Sequence, residues 1–160
     1  MFRHNFLRSL VILMLTWIGW AVFSFPAQAE TADPYVLRYL ADEPVEMARD
    51  RQGQTQTFTP AELSEGKDLF ANNCLSCHTG GRTAQYPTVS LSLKDLKGAS
   101  PPRDNISNLV AYMRHPVSYD GSDTNYWCRE VTERWMSESQ IENLAAFLLR
   151  AAETAPNWGE

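Results

Sequence analysis

The chain has 160 residues, with 19 acidic side chains against 14 Lys and Arg and a net charge of -5. That acidity argues against nucleic acid and anionic membrane surfaces as partners and suits docking on basic proteins. With three cysteines and three histidines, the ways to build a disulfide or metal centre are few.

The first residues read as an export leader. Arg3, His4 and Arg8 make a positive start, Leu10 to Phe25 is apolar, and Ala27-Gln28-Ala29 supplies a small-x-small cleavage pattern. The rival reading is an uncleaved membrane anchor, but the apolar run falls short of the roughly 20 residues a span requires. Cleavage after Ala29 removes two arginines and leaves about 131 residues, enough for one modest domain. The expected division is therefore a signal peptide at 1–29, an irregular N-terminal extension at 30–57 and one folded domain at 58–160. Within the extension, short strand character is expected near Gln54 to Phe58.

The first firm helix starts at Thr59. Thr59-Pro60-Ala61-Glu62 is a capping box with proline in the first helical position, and Phe58 and Leu63 occupy the two staple positions. This helix is expected to run to about Asn72, with Gly66 and Phe70 on one face where another helix can approach closely. At its end stands Cys74-Leu75-Ser76-Cys77-His78. The spacing C-x-x-C-H reads as the attachment site of a c-type haem, with a thioether from each cysteine and proximal iron ligation by His78. A thioredoxin-type disulfide would want a βαβ context, and a zinc site would want a second ligand pair. Neither context is visible, so one covalent haem c per chain is expected.

After a loop rich in turn residues, a short helix is expected over Leu93 to Lys97, ended by Gly98. Ile106, Leu109, Val110 and Met113 then follow the spacing of one helix face, and Pro116 stops that helix. Residues 116–135 form a long irregular stretch. The last helix opens on a second capping box, Ser137 to Gln140, and carries Ile141, Leu144, Ala145, Leu148 and Ala152 as its apolar stripe. This order fits an all-α, single-domain c-type cytochrome of class I type around one covalent haem.

Four residues compete for the distal iron position. Methionine is common in electron carriers, but Met136 directly precedes the N-cap Ser137 and pairs with Ile141 as a hydrophobic staple. His115 ends the third helix, where a cation complements the helix dipole. Tyr126 reads more simply as packing or rim. Cys128 has no capping role, its thiolate would bind ferric iron well, and Arg129 stands beside it. Its plain alternative is a small buried hydrophobe. Cys128 is therefore the favoured distal ligand, with Met136 and His115 as rivals.

The segments EGKDLF, CLSCHTGG, GASPPRDNISNLVAYMRHPVSYDG and the closing NWGE together resemble the cytochrome c-550 family, whose type member is the extrinsic haem subunit of cyanobacterial and algal photosystem II. The resemblance covers about Phe58 to the C-terminus. It implies a small helical cytochrome in the thylakoid lumen, soluble or peripheral on the membrane, with two histidine ligands and a low potential. Cys74, Cys77 and His78 take the positions of the haem cysteines and proximal histidine. The distal histidine of the family falls shortly after the YDG segment, where YDGSDTNYWCREV carries none and Cys128 stands within one residue of the expected place. The resemblance also implies a carbonyl near Pro87 that accepts the His78 ring N–H. The chain thus resembles a divergent branch of the family.

The function expected is low-potential electron transfer in or near photosynthetic electron transport, with a redox protein as partner. The alternative is a structural haem subunit associated with photosystem II. Enzymatic use of an open iron site would want acid–base groups, and Glu130 and Glu133 read as a solvated loop face. The chain is not expected to be an enzyme.

Overall fold

A computed structural model describes residues 32–84 and 88–160. The expected leader at 1–29 and the expected carbonyl at Pro87 lie outside the described residues.

The segment expected to be irregular carries three elements. Helix α1 (Pro34–Tyr39) begins at Asp33, whose carboxylate accepts from the Tyr35 amide at 2.8 Å, with proline in the first turn. Strands β1 (Val45–Ala48) and β2 (Thr55–Phe58) form an antiparallel hairpin pairing Val45 with Phe58 and Ala48 with Thr55. Val36, Leu40, Met47 and Phe58 from these elements are buried in the common core. β2 falls where strand character was expected. α1 and β1 escaped the reading because six and four residues are too few to display a period.

Helix α2 (Pro60–Asn73) has both halves of its capping box: Thr59 Oγ1 accepts from the Glu62 amide at 3.2 Å, and Glu62 accepts from the Thr59 amide at 2.7 Å. Short α3 (Leu93–Gly98) is capped by Ser92, α4 (Ile106–Arg114) by Asn105 and α5 (Glu138–Thr154) by Ser137. All four apolar residues read as the inner face of α4 are buried. Met136 and Ile141, the expected staple of α5, are buried as well.

α5 is the spine of the molecule, and α2 packs along it. They approach closely at Gly66, where an added Cβ would stand 2.1 Å from the Asn143 carbonyl oxygen. One turn on, Phe70 meets Phe147 at 5.6 Å between ring centroids, and Trp158 closes on both at 5.5 and 5.7 Å. The C-terminal NWGE is therefore a clasp. Trp158 Nε1 donates to the Leu91 carbonyl at 3.0 Å, and the Gly159 amide donates to the Gly80 carbonyl at 2.8 Å. Gly81, at φ +77°, lies so close to Trp158 that a side chain there would strike the indole. The tail thus braces the loop that leaves the C-x-x-C-H segment. Among the described residues no helix is long and apolar enough to cross a membrane.

Candidate haem site

Cys74 is the C-cap of α2, its amide bonded to the Phe70 carbonyl at 2.8 Å. The chain then turns tightly, and the Cys77 and His78 amides both donate back to the Cys74 carbonyl, at 3.1 and 3.0 Å. One helix end thereby presents two thiols and an imidazole to one wall of a cavity of about 480 Å³. That volume lies within the range of cofactor sites. Phe70, Leu96, Leu109, Met113 and Leu148 supply apolar lining from four helices. All three cysteines are free thiols.

His78 is oriented by a residue the sequence reading did not single out. Thr83 Oγ1 lies 3.1 Å from His78 Nδ1 and donates its own hydrogen to the Val89 carbonyl. A hydroxyl whose hydrogen is committed can only accept on its other side, so Nδ1 carries the proton. Nε2 keeps its lone pair for a metal. Burial holds the His78 imidazole below its ordinary pKa and so in the neutral form that ligates.

Cys128 lines the same cavity. The irregular stretch that carries it is tied down on both sides. Before it, Val117 bridges Thr124, the Asn125 amide donates to the Pro116 carbonyl at 3.0 Å, and the Asn125 side chain donates to Tyr112 Oη at 3.2 Å. After it, the Val131 amide donates to the Met113 carbonyl, and Arg114 donates to the carbonyls of Val131 and Met136 at 2.9 and 3.1 Å. Burial pushes the Cys128 thiol up, while the Tyr112 hydroxyl and the Arg103 charge pull it back. Cys74 is pushed up to about 11 by burial and by the nearness of Cys128 and Cys77. The three thiols line one enclosure.

The rival distal residues sit elsewhere. Met136 is 2 % exposed and belongs to the core beneath α5, while His115 is an exposed C-cap of α4. Neither lines the cavity among the described residues. Tyr126 is 85 % exposed; Trp127, 70 % exposed, also lines the cavity and stands at its mouth. Arg129 lies over the Trp135 ring at 5.2 Å rather than against the Cys128 thiol. Arg103, Tyr112 and Thr83, absent from the sequence-based candidates, are part of the polar lining. Arg103 stands within the PPRDN stretch of the resemblance, which is the one signal that pointed to it.

A family model described as the cytochrome c-550 domain matches residues 38–160. The chain belongs to the cytochrome c-550 family. It is similar to the cytochrome c-550-like protein of Trichodesmium erythraeum (strain IMS101), 47% identical over 99% of this chain and 97% of that protein. It is 50% identical to the photosystem II extrinsic protein V of Gloeobacter violaceus (strain ATCC 29082 / PCC 7421), over 72% of this chain and 62% of that one. Among solved structures it resembles the PsbV2 cytochrome of Thermosynechococcus elongatus, with a TM-score of 0.79 and 53% identity over 81% of this chain and 100% of the other. Cytochrome c549 follows at a TM-score of 0.61 and 30% identity, over 71% and 95%.

The cofactor of this cytochrome c-550 fold is covalently attached haem c. The cavity suits it: two thiols spaced for thioethers, a neutral imidazole with Nε2 free, an apolar lining and a further sulfur donor in one enclosure. Cytochromes of this family are electron carriers or structural haem subunits, and the chain is not an enzyme.

Proposed function

We propose that this cytochrome is a low-potential electron carrier of the thylakoid lumen, exported through residues 1–29, with residues 58–160 as its haem domain. In this reading Cys74 and Cys77 hold the haem, His78 is the proximal ligand and Cys128 the distal one. The observation that carries it is the Cys128 thiol in the cavity bordered by the C-x-x-C-H segment, with Met136 in the core and His115 in solvent. Haem supplies one-electron exchange between the ferric and ferrous states. The chain's residues set where that exchange is poised. Thr83 fixes the His78 tautomer, the apolar lining from four helices keeps bulk water away, and the tied loop holds the Cys128 sulfur in place. A thiolate donates charge to ferric iron, so the potential falls well below that of histidine–methionine carriers.

The test is the ferric electron paramagnetic resonance spectrum of the holoprotein beside a Cys128→Ala variant. The expected signal is low-spin with the narrow g-spread of thiolate ligation, lost in the variant. An unchanged spectrum returns Cys128 to packing. A redox titration giving a high potential also sinks the reading.

A second reading is favoured by the 50% identity to a photosystem II extrinsic protein. In it the haem is structural and the protein caps the lumenal face of the photosystem. Rebinding to salt-washed photosystem particles at near-stoichiometric ratio supports this reading, and failure to rebind rejects it.

A further inference from the structure

Arg103 is 8 % exposed, and among the described residues its Nε is the single buried side-chain nitrogen or oxygen without a hydrogen-bond partner. Its orientation is not free. Nη2 donates to the carbonyls of Val117 and Ser118 at 3.1 and 2.9 Å, and the guanidinium carbon lies 3.7 Å from the Tyr112 ring centroid. The backbone is fixed too, through an Arg103 amide bond of 2.9 Å to the Leu96 carbonyl. So the unpartnered N–H belongs to a planar group that is held in place by its Nη2 contacts and by the Tyr112 ring.

Among the described residues no carboxylate pairs with this charge. Asp95, the one carboxylate lining the cavity among the described residues, is engaged by the Ser90 amide and hydroxyl at 3.2 and 2.7 Å. A buried guanidinium without an anion is costly, and a buried N–H without an acceptor adds to that cost. Arg103 lines the haem cavity. A haem that fills such a cavity brings two carboxylates with it, and a guanidinium edge is the donor whose planar geometry suits a carboxylate.

The geometry points to Arg103 Nε–H as the protein's donor to a haem propionate, so that one carboxylate of the cofactor completes the hydrogen bonding of this residue and neutralises its charge. The inference rests on haem in the cavity and not on the identity of the distal ligand.

Nuclear magnetic resonance of the 15N-labelled ferric holoprotein tests it without altering the fold. The Arg103 Nε–H signal, identified by its loss in Arg103→Lys, is expected to show Overhauser contacts to propionate methylene protons. Its hydrogen exchange should be at least about tenfold slower than that of surface arginines. Contacts to protein groups alone, or fast exchange, overturn the proposal. Resonance Raman spectra of Arg103→Lys and Arg103→Gln provide an independent readout. The propionate bending band shifts slightly in the first and further in the second, while the ferric paramagnetic resonance g values stay as in the parent. Shifted g values with an unmoved propionate band mean that Arg103 serves Cys128 instead, which also overturns it. Loss of the thiolate assignment in the parent sinks the Cys128 reading alone and leaves the propionate bands as the judge of Arg103.

Discussion

Thr83 has one hydrogen to give, and it gives it to the Val89 carbonyl. The lone pair left over accepts from His78 Nδ1–H and makes the imidazole a better electron donor through Nε2. Replacing Thr83 with Val removes that acceptor and keeps the shape. Ferric iron then loses donated charge, and the reduction potential is expected to rise by roughly 60 mV, the one-electron equivalent of a tenfold change in relative affinity. An unchanged potential in a redox titration of Thr83→Val contradicts this. At the same scale, Cys128→Ala is expected to abolish the narrow low-spin signal. The segment from Cys74 to His78 stands out in the sequence because its spacing is local, five residues in one turn. Thr83 does not, because its role depends on how the loop after Gly81 folds back on the imidazole.

Elements in this fold meet where side chains are smallest. α2 contacts α5 through Gly66, and a Cβ there would lie 2.1 Å from the Asn143 carbonyl oxygen and 2.7 Å from its carbon. Alanine in a helix interior gains up to about 1 kcal/mol over glycine in propensity. Here the clash is with backbone, which cannot swing aside, so overpacking dominates. Gly66→Ala is expected to lower stability by about 2 kcal/mol net, read from the urea midpoint. A stabilised variant would show that the two helices are not in this contact. The spacing of Gly66 and Phe70 announced a close approach, and the capping boxes at Thr59 and Ser137 announced both helix starts. The hairpin strand β1 was hidden for the opposite reason: VEMA becomes a strand because TQTF pairs with it, a fact outside its own four residues.

For the molecule as a whole, the N-terminal segment is fastened to the helical body partly by charge. Lys67 Nζ on α2 lies 2.8 Å from Asp33 at the start of α1, and the Asp33 amide donates to Ser64 Oγ at 2.8 Å. The Lys67 hydrogen bond, against the opposing effect of burial and with help from the Tyr35 amide, holds the Asp33 carboxyl below its ordinary value of 3.8. A carboxyl depressed in the folded state adds stability that is complete above the unfolded value and is lost as pH falls through the folded one. Asn at position 33 can still cap α1, so Asp33→Asn isolates the charge. The variant is expected to be less stable than the parent by about 0.5 kcal/mol near pH 6. The gap should close as pH falls below the ordinary carboxylate value. Urea midpoints at two pH values check this, and a gap independent of pH rules out the ion pair as its source.

Features whose cause lies within a turn or two of chain are readable from the residues alone: the C-x-x-C-H spacing, the caps, the buried face of α4 and the stripe of α5. Local spacing decides those, because the groups involved are neighbours along a helix or within one loop. Which of Cys128, Met136 and His115 lines the cavity, and that Arg103 lines it too with its Nε buried and unpartnered, follows from the packing of distant segments. Cys128 and Cys77 are about fifty residues apart in sequence. Their meeting depends on α4, on the carbonyls gathered by Arg103 and Arg114, and on the loop between them, and no local pattern encodes a contact made through so many intermediaries.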